Sequence, residues 1–178
     1  MLVLIGASAS GKTEIAKLLI KHYGFEKMIT YTTRQKRHNE INGVDYHFVD
    51  EPTFLKKAAN HDFLETTIYN NTHYGTAFKD ALPYRVVIVD IPGANALYHA
   101  LKENVVIMYI ETLESLRKDR MLKRGDQPEE IEKRLDLDKR AFDPTLADHI
   151  DYIIQNSQHS ITAVTKDIAQ KYKHMITK

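Results

Sequence analysis

Short apolar runs alternate with amphipathic segments along the chain, and this alternation predicts an α/β fold. Leu2–Ile5 is a continuous apolar run of strand length. Thr13–Tyr23 places Ile15, Leu18, Leu19 and His22 at helical spacing and stops at Gly24. Met28–Thr33 follows as a second strand. The pattern then changes character. Tyr46–Val49 reads as a short strand and Glu51–Ala59 as a helix with Pro52 near its start. Phe63–Tyr69 and Thr72–Tyr74 flank Asn70-Asn71, a pair suited to a tight hairpin turn. Antiparallel material of this kind, inserted in an α/β frame, predicts a small lobe over residues 34–76.

The frame resumes at Arg85–Asp90, where Val-Val-Ile-Val suits a parallel strand buried on both faces. Ala94–Leu101 is short enough for one crossover helix, and Val105–Ile110 is the next strand. Residues 114–141 are charged and periodic, predicting two exposed helices joined around Gly125-Asp126-Gln127-Pro128. Tyr152–Gln155 is the last strand, and Ser160–Tyr172 a closing helix with Ser160 as its N-cap.

Composition narrows the possibilities. A length of 178 residues suits one domain with small inserted lobes. Apolar residues at 43% and charged residues at 28% exclude a disordered or fibrous chain. Lys plus Arg number 25 against 24 Asp plus Glu, so no overall charge draws the chain to nucleic acid or an anionic membrane. Any anion site must be local. The absence of cysteine excludes disulfides, thiolate metal sites and Cys nucleophiles. Leu2–Ile5 is too short for a signal-peptide core or a membrane span. The nine His show no metal-ligand spacing, and His61 and His73 read as surface residues.

Residues Gly6-Ala7-Ser8-Ala9-Ser10-Gly11-Lys12-Thr13 match G-x-x-x-x-G-K-[ST] between a strand and a helix. Such a loop turns successive N–H groups inward as an anion nest, at a helix N-terminus that adds partial positive charge. Gly6 and Gly11 allow tight turns and close approach to phosphate. Lys12 reaches the outer phosphates, and the Thr13 hydroxyl can ligate Mg²⁺. The loop serves kinases, NTPases and switch proteins alike, so it implies nucleotide binding and not a reaction.

The second informative stretch runs from Thr32 to Val49. Arg34 and Arg37 lie three apart with Tyr46 following, a set of planar donor forks and a phenol suited to phosphate, although a solvated basic loop has the same composition. Here the chain resembles guanylate kinases, whose pattern is T-T-R-x-x-R-x-G-E-x-x-G-x-D-Y-x-F. The sequence keeps Thr32, Thr33, Arg34, Arg37, Glu40, Gly43, Asp45, Tyr46 and Phe48. The resemblance continues at Glu65 and Tyr74-Gly75-Thr76, similar to E-x(8)-Y-G-[ST], at Val87–Asp90, and in a lid-like segment with Arg120, Arg124-Gly125 and Arg134.

The resemblance implies a P-loop NTPase-type parallel sheet core flanked by helices, with an inserted small mixed α/β acceptor-binding lobe and a helical lid. Within one domain, 1–178, the core would be 1–33, 77–113 and 143–178, the lobe 34–76 and the lid 114–142. The implied reaction is phosphoryl transfer from ATP to GMP with Mg²⁺. Gly6 to Thr13 would bind ATP, with Lys12, Arg120, Arg124 and Arg134 at the transferred group. Arg34, Arg37, Tyr46 and Tyr74 would hold the acceptor phosphate, and Asp90 would lie at the acceptor and metal region. Glu65 would face the base, with the hydroxyls of Thr30 and Thr76 nearby. An ionised carboxylate only accepts, and guanine presents two adjacent donors that adenine lacks. A hydrogen bond to a charged group contributes about 1.5–3 kcal/mol, so this contact discriminates roughly 10- to 100-fold. The expected partners are ATP and GMP, with no nucleic acid and no membrane, on a cytoplasmic monomer or homodimer. The sequence departs from the family at Pro92, where a second acid is usual, and at Ala7, Ala9, Lys36 and Asn39. A shifted acceptor, or a binding module without turnover, are the alternatives.

Overall fold

The computed structural model describes residues 1–37, 40–69 and 72–177. In chain order the elements are β1 (Leu2–Ile5), α1 (Lys12–His22), β2 (Glu26–Lys27), β3 (Tyr31–Thr32), β4 (His47–Phe48), α2 (Glu51–Ala59), β5 (Phe63–Tyr69) and β6 (Thr72–Ala77). There follow β7 (Arg85–Ile88), α3 (Ile91–Leu101), β8 (Val106–Glu111), α4 (Glu114–Lys123), α5 (Pro128–Ala141), β9 (Tyr152–Gln155) and α6 (Ile161–Ile176).

Two sheets result. The main sheet is parallel throughout its order β2-β7-β1-β8-β9, and the smaller one, β4-β3-β6-β5, is mixed. β1 is central, and its four residues are fully buried because helices cover both faces. Leu2 and Leu4 join Ile15 and Leu19 of α1 and Val164 and Ile168 of α6 on one face. Val3 and Ile5 join Ile91, Ala94 and Leu97 of α3 on the other. The expected α/β frame is therefore the observed one.

Of the strand expected over Met28–Thr33 only Tyr31–Thr32 forms, as β3, and the main-sheet strand β2 precedes that stretch at Glu26–Lys27. β2 pairs with β7 of the main sheet, whereas β3 pairs with β4 and β6 of the small one. Met28 between them is buried against the α3 face of the main core, so a single apolar stretch serves two layers. α3 begins at Ile91, three residues before the expected start, because Asp90 caps it by accepting from the Gly93 N–H at 2.9 Å and Pro92 fits its first turn. Ser160 caps α6 as expected, and that helix runs on to Ile176. The expected Asn70-Asn71 turn lies outside the described residues.

Two small apolar clusters stand apart from the main core. Tyr31, Phe54, Phe63 and Ala77 pack the small sheet against α2. Met121, Ile131 and Leu135 pack α4 against α5, with Ala9 of the loop after β1 touching that cluster. No described helix is long and apolar enough to cross a membrane.

Candidate active site

The turn from β1 into α1 is held by its surroundings as well as by its own backbone. Gly6 and Gly11 have φ of 137° and 101°, a region closed to most side chains. A Cβ on Gly6 would stand 2.5 Å from the Ile110 carbonyl oxygen, and one on Gly11 2.5 Å from Asn156 Nδ2. The Ser10 carbonyl accepts from Asn156 Nδ2 at 2.7 Å and from Thr112 Oγ1 at 3.0 Å, both contacts buried. Asn156 and Thr112 thus fix the loop from the ends of β9 and β8. The sequence pattern did not single them out, since each is one of several polar residues that follow an apolar strand.

Lys12 lies at the start of α1. Its ammonium donates to the Gly6 carbonyl at 2.5 Å, the Ala7 carbonyl at 2.8 Å and Ser10 Oγ at 3.2 Å. Burial pushes its pKa down to about 8, against a lift from the nearby Asp138 carboxylate. Thr13 follows with an exposed position at the first turn of α1.

A cavity of about 710 Å³ opens beside the loop. Ser8 and Lys12 line it at the loop, Thr30, Tyr46, Glu65, Thr67 and Tyr74 at the small sheet, and Asp90 beneath. The small-sheet residues converge because of the β5–β6 register. Glu65 faces Thr76 and Thr67 faces Tyr74 across the hairpin, so alternate residues of both strands share one face. A bulge between Phe63 and Glu65 lets Phe63 pack toward Tyr31 and Phe54 while Leu64 packs on the α3 face of the main core. Gly75 lies between the cavity-facing residues, and a Cβ there would meet Phe54 at 3.0 Å and Phe63 at 3.1 Å.

Glu65 is 8% exposed and accepts from the Thr76 hydroxyl at 2.7 Å. Burial raises its pKa to about 7, the Thr76 bond opposes the rise, and the Asp90 charge adds to it. Arg34 stands just behind the cavity wall. Its guanidinium lies 5.5 Å from the Tyr46 ring centroid and donates to Glu40 Oε1 at 2.6 Å. Glu40 and the Tyr74 hydroxyl both hold Arg34 more firmly charged. Arg37 is exposed and meets Glu40 through its backbone N–H at 2.8 Å.

The three arginines expected over the phosphates are placed differently from one another. Arg120 donates to the Ala9 carbonyl at 3.1 Å, on the loop itself. Arg134 lines the cavity, with Nη1 3.4 Å from Asp126 Oδ2. Arg124 is drawn onto Asp126 by both Nε and Nη2 and does not line the cavity. Within the segment 114–141, expected as two exposed helices, Arg117 and Asp138 are buried and paired at 2.9 Å. Their sequence signal lies in the stripe. Arg117 precedes Met121 by four, and Asp138 follows Leu135 by three, so both fall on the apolar face.

The model of the family described as guanylate kinase matches residues 1–174. The guanylate kinase of Hyphomonas neptunium is 33% identical over 149 residues, covering 79% of this chain and 69% of that protein. That of Chlamydia trachomatis serovar D is 27% identical over 164 residues, 88% of this chain and 79% of that protein. The crystal structure of guanylate kinase from Anaplasma phagocytophilum shares the fold, with a TM-score of 0.75 and 23% identity over all of this chain and 86% of that one. Since the match extends from the first strand into the last helix and takes in both sheets, the chain belongs to the guanylate kinase family.

Proposed function

We propose that this chain transfers the terminal phosphoryl group of ATP to GMP, giving ADP and GDP, within the cavity between the phosphate loop and the small sheet. One observation carries this: a single cavity has Ser8 and Lys12 at one end and Tyr46, Glu65 and Tyr74 at the other. A binding module without turnover has no use for a phosphate-loop lysine facing an acceptor site, and is not favoured.

In this account residues 34–76, with β3 and Ala77 completing their sheet, form the acceptor lobe, residues 114–142 the lid, and the rest the core. Apart from those of Ser8, which donates to Asp138 Oδ2, and Ser10, which donates to the Ala7 carbonyl, the N–H groups of Gly6 to Thr13 hold the donor phosphates with the Lys12 ammonium. Glu65 receives the guanine donors while Thr76 fixes its carboxylate, and Thr30 faces the same space. Arg34 and Arg37, with the phenols of Tyr46 and Tyr74, hold the acceptor phosphate. That phosphate is already anionic at neutral pH, so its oxygen attacks the terminal phosphorus without a protein base. The bond to the bridging oxygen breaks and ADP leaves with the electron pair. Lys12, Arg120, Arg124 and Arg134 offset the charge on the transferred group. Asp90 spends one oxygen on its cap to Gly93 and presents the carboxylate at the cavity.

Mg²⁺ takes oxygen ligands and keeps several waters, binding mostly through nucleotide phosphates. The donor set fits this. The Thr13 hydroxyl is an exposed oxygen beside Lys12, and the described residues hold no cluster of three or more acidic or His ligands that would make a protein cage. When bound, the ion neutralises phosphate charge. The substrates are nucleotides of the cell interior, so the setting proposed is cytoplasmic.

The test is a coupled ADP assay. ADP formation from ATP should depend on GMP, with AMP and CMP poor acceptors. Absence of GMP-dependent turnover would reject the reaction, and turnover with another acceptor alone would move the specificity away from guanine.

A further inference from the structure

We propose that Arg117 and Asp138 are a positioning pair that registers the α4–α5 lid on the phosphate loop at Ser8, and so sets where Arg120 and Arg134 stand against a bound triphosphate. This rests on the phosphoryl-transfer account above. The pair bridges three elements. Asp138 Oδ2, on α5, accepts from the Ser8 N–H at 2.9 Å and from Arg117 Nη1, on α4, at 2.9 Å. Its Oδ1 accepts from Ser8 Oγ at 3.1 Å, and Arg117 Nη1 also reaches the Ser8 carbonyl at 3.4 Å. Ser8 is thereby held at its N–H, hydroxyl and carbonyl by two side chains, each 6% exposed.

Stability does not explain this choice. Burying two charges costs about as much solvation as their attraction returns, and well-packed apolar residues commonly do as well. The neighbouring Met121, Ile131 and Leu135 already hold the helices together by such packing. Apolar contacts are non-directional, however, and leave the helices free to slide against the loop. Charged hydrogen bonds to Ser8 fix the register. The register matters because of spacing. Arg120 lies three residues beyond Arg117 on α4, and Arg134 four residues before Asp138 on α5, so each partner shares a face with an arginine one turn away. Ser8 and Asp138 both line the cavity, so the pin lies inside the reaction space.

The charges also balance each other. Removing Arg117 alone leaves a buried carboxylate beside the triphosphate, whereas removing both charges leaves none. The experiment compares Arg117→Leu with the double variant Arg117→Leu/Asp138→Ala, reading melting temperature, ATP affinity by calorimetry without GMP, and steady-state kinetics for each substrate. The single variant should weaken ATP at least tenfold, and the double should recover ATP affinity to within about threefold of the parent. The double should melt at or above the parent temperature, keep its KM for GMP within about twofold, and lose about tenfold in kcat at saturation. A double variant with retained melting temperature and kcat within twofold would overturn the proposal, as would equal ATP weakening in both variants. Should the double melt lower, Asp138→Asn decides. The amide keeps an acceptor for Ser8 but loses the charge, and must lower kcat at saturating nucleotides without weakening ATP; an unchanged kcat rejects the pair's role. A parent chain with no GMP-dependent turnover would reject the reaction and leave the calorimetric comparison to judge the pair.

Discussion

Two ionisable side chains at opposite ends of the cavity, buried Glu65 and half-buried Lys12, are displaced in ways that set a pH window. Glu65 is raised to about 7 by burial, and Lys12 lowered to about 8 by the same cause acting on the opposite charge. Guanine offers donors, so Glu65 must be ionised to receive them. Below about pH 7 the free protein holds the neutral acid, and GMP binding must expel a proton. The Lys12 charge serves ATP. Above about pH 8 the free protein holds the neutral amine, and ATP binding must take up a proton. Each limb costs up to tenfold in affinity per pH unit. The acid limb should therefore appear in kcat/KM for GMP and the alkaline limb in kcat/KM for ATP, measured with the other nucleotide saturating. Glu65→Gln should raise the KM for GMP about 10- to 100-fold, leave the KM for ATP within about twofold, and abolish the limb near 7. What then remains is the titration of the nucleotide phosphates themselves, near 6. If both substrates weaken together, Glu65 serves the fold and not the base.

At the scale of elements, the β5–β6 hairpin shows which features a sequence can disclose. The alternation of Glu65, Thr67, Tyr74 and Thr76 onto one face follows from strand geometry once the hairpin is recognised, and all four were within reach of a period-two pattern. The bulge that sends Phe63 to the small-sheet core and Glu65 to the cavity was not, because it depends on which layer each strand meets. The shortening of the Met28–Thr33 strand to Tyr31–Thr32 has the same origin. The Arg117–Asp138 pair escaped for another reason: charge is ordinarily solvated, and only its position in an apolar stripe marked it. Gly75 offers a direct test of the hairpin's tolerance. Its missing Cβ is the space taken by the Phe54 and Phe63 rings, at 3.0 and 3.1 Å. Gly75→Ala should destabilise the chain by about 1–3 kcal/mol in urea titrations. Since the rings shift the strand that carries Tyr74 and Thr76, the KM for GMP should rise more than that for ATP. An equal rise in both would show that the small sheet does not act on its own substrate separately.

In the whole molecule, the parallel sheet is a fixed frame, and the two outer parts each own a separate apolar cluster. Neither cluster merges with the main core, although Leu64 of β5 packs on its α3 face and Ala9 of the phosphate loop packs on the α4–α5 cluster. For the α4–α5 part, the Ser8 contact marks one end, and the far end is governed by Asp126. There Arg124 and Arg134 both meet one carboxylate at the surface, while Arg120 already touches the loop. A bound triphosphate and Asp126 would compete for the same two guanidinium groups. The ligand shifts the equilibrium only by its advantage over that carboxylate. Removing the competitor should therefore favour the nucleotide. Asp126→Asn should tighten ATP by about two- to fivefold, a range set by the modest worth of solvent-exposed pairs, and should flatten the dependence of ATP affinity on added salt. Calorimetry with ATP alone over a series of salt concentrations measures both effects. Weaker ATP binding in this variant would mean that Asp126 holds the arginines in their working positions, and that closure needs the carboxylate instead of displacing it.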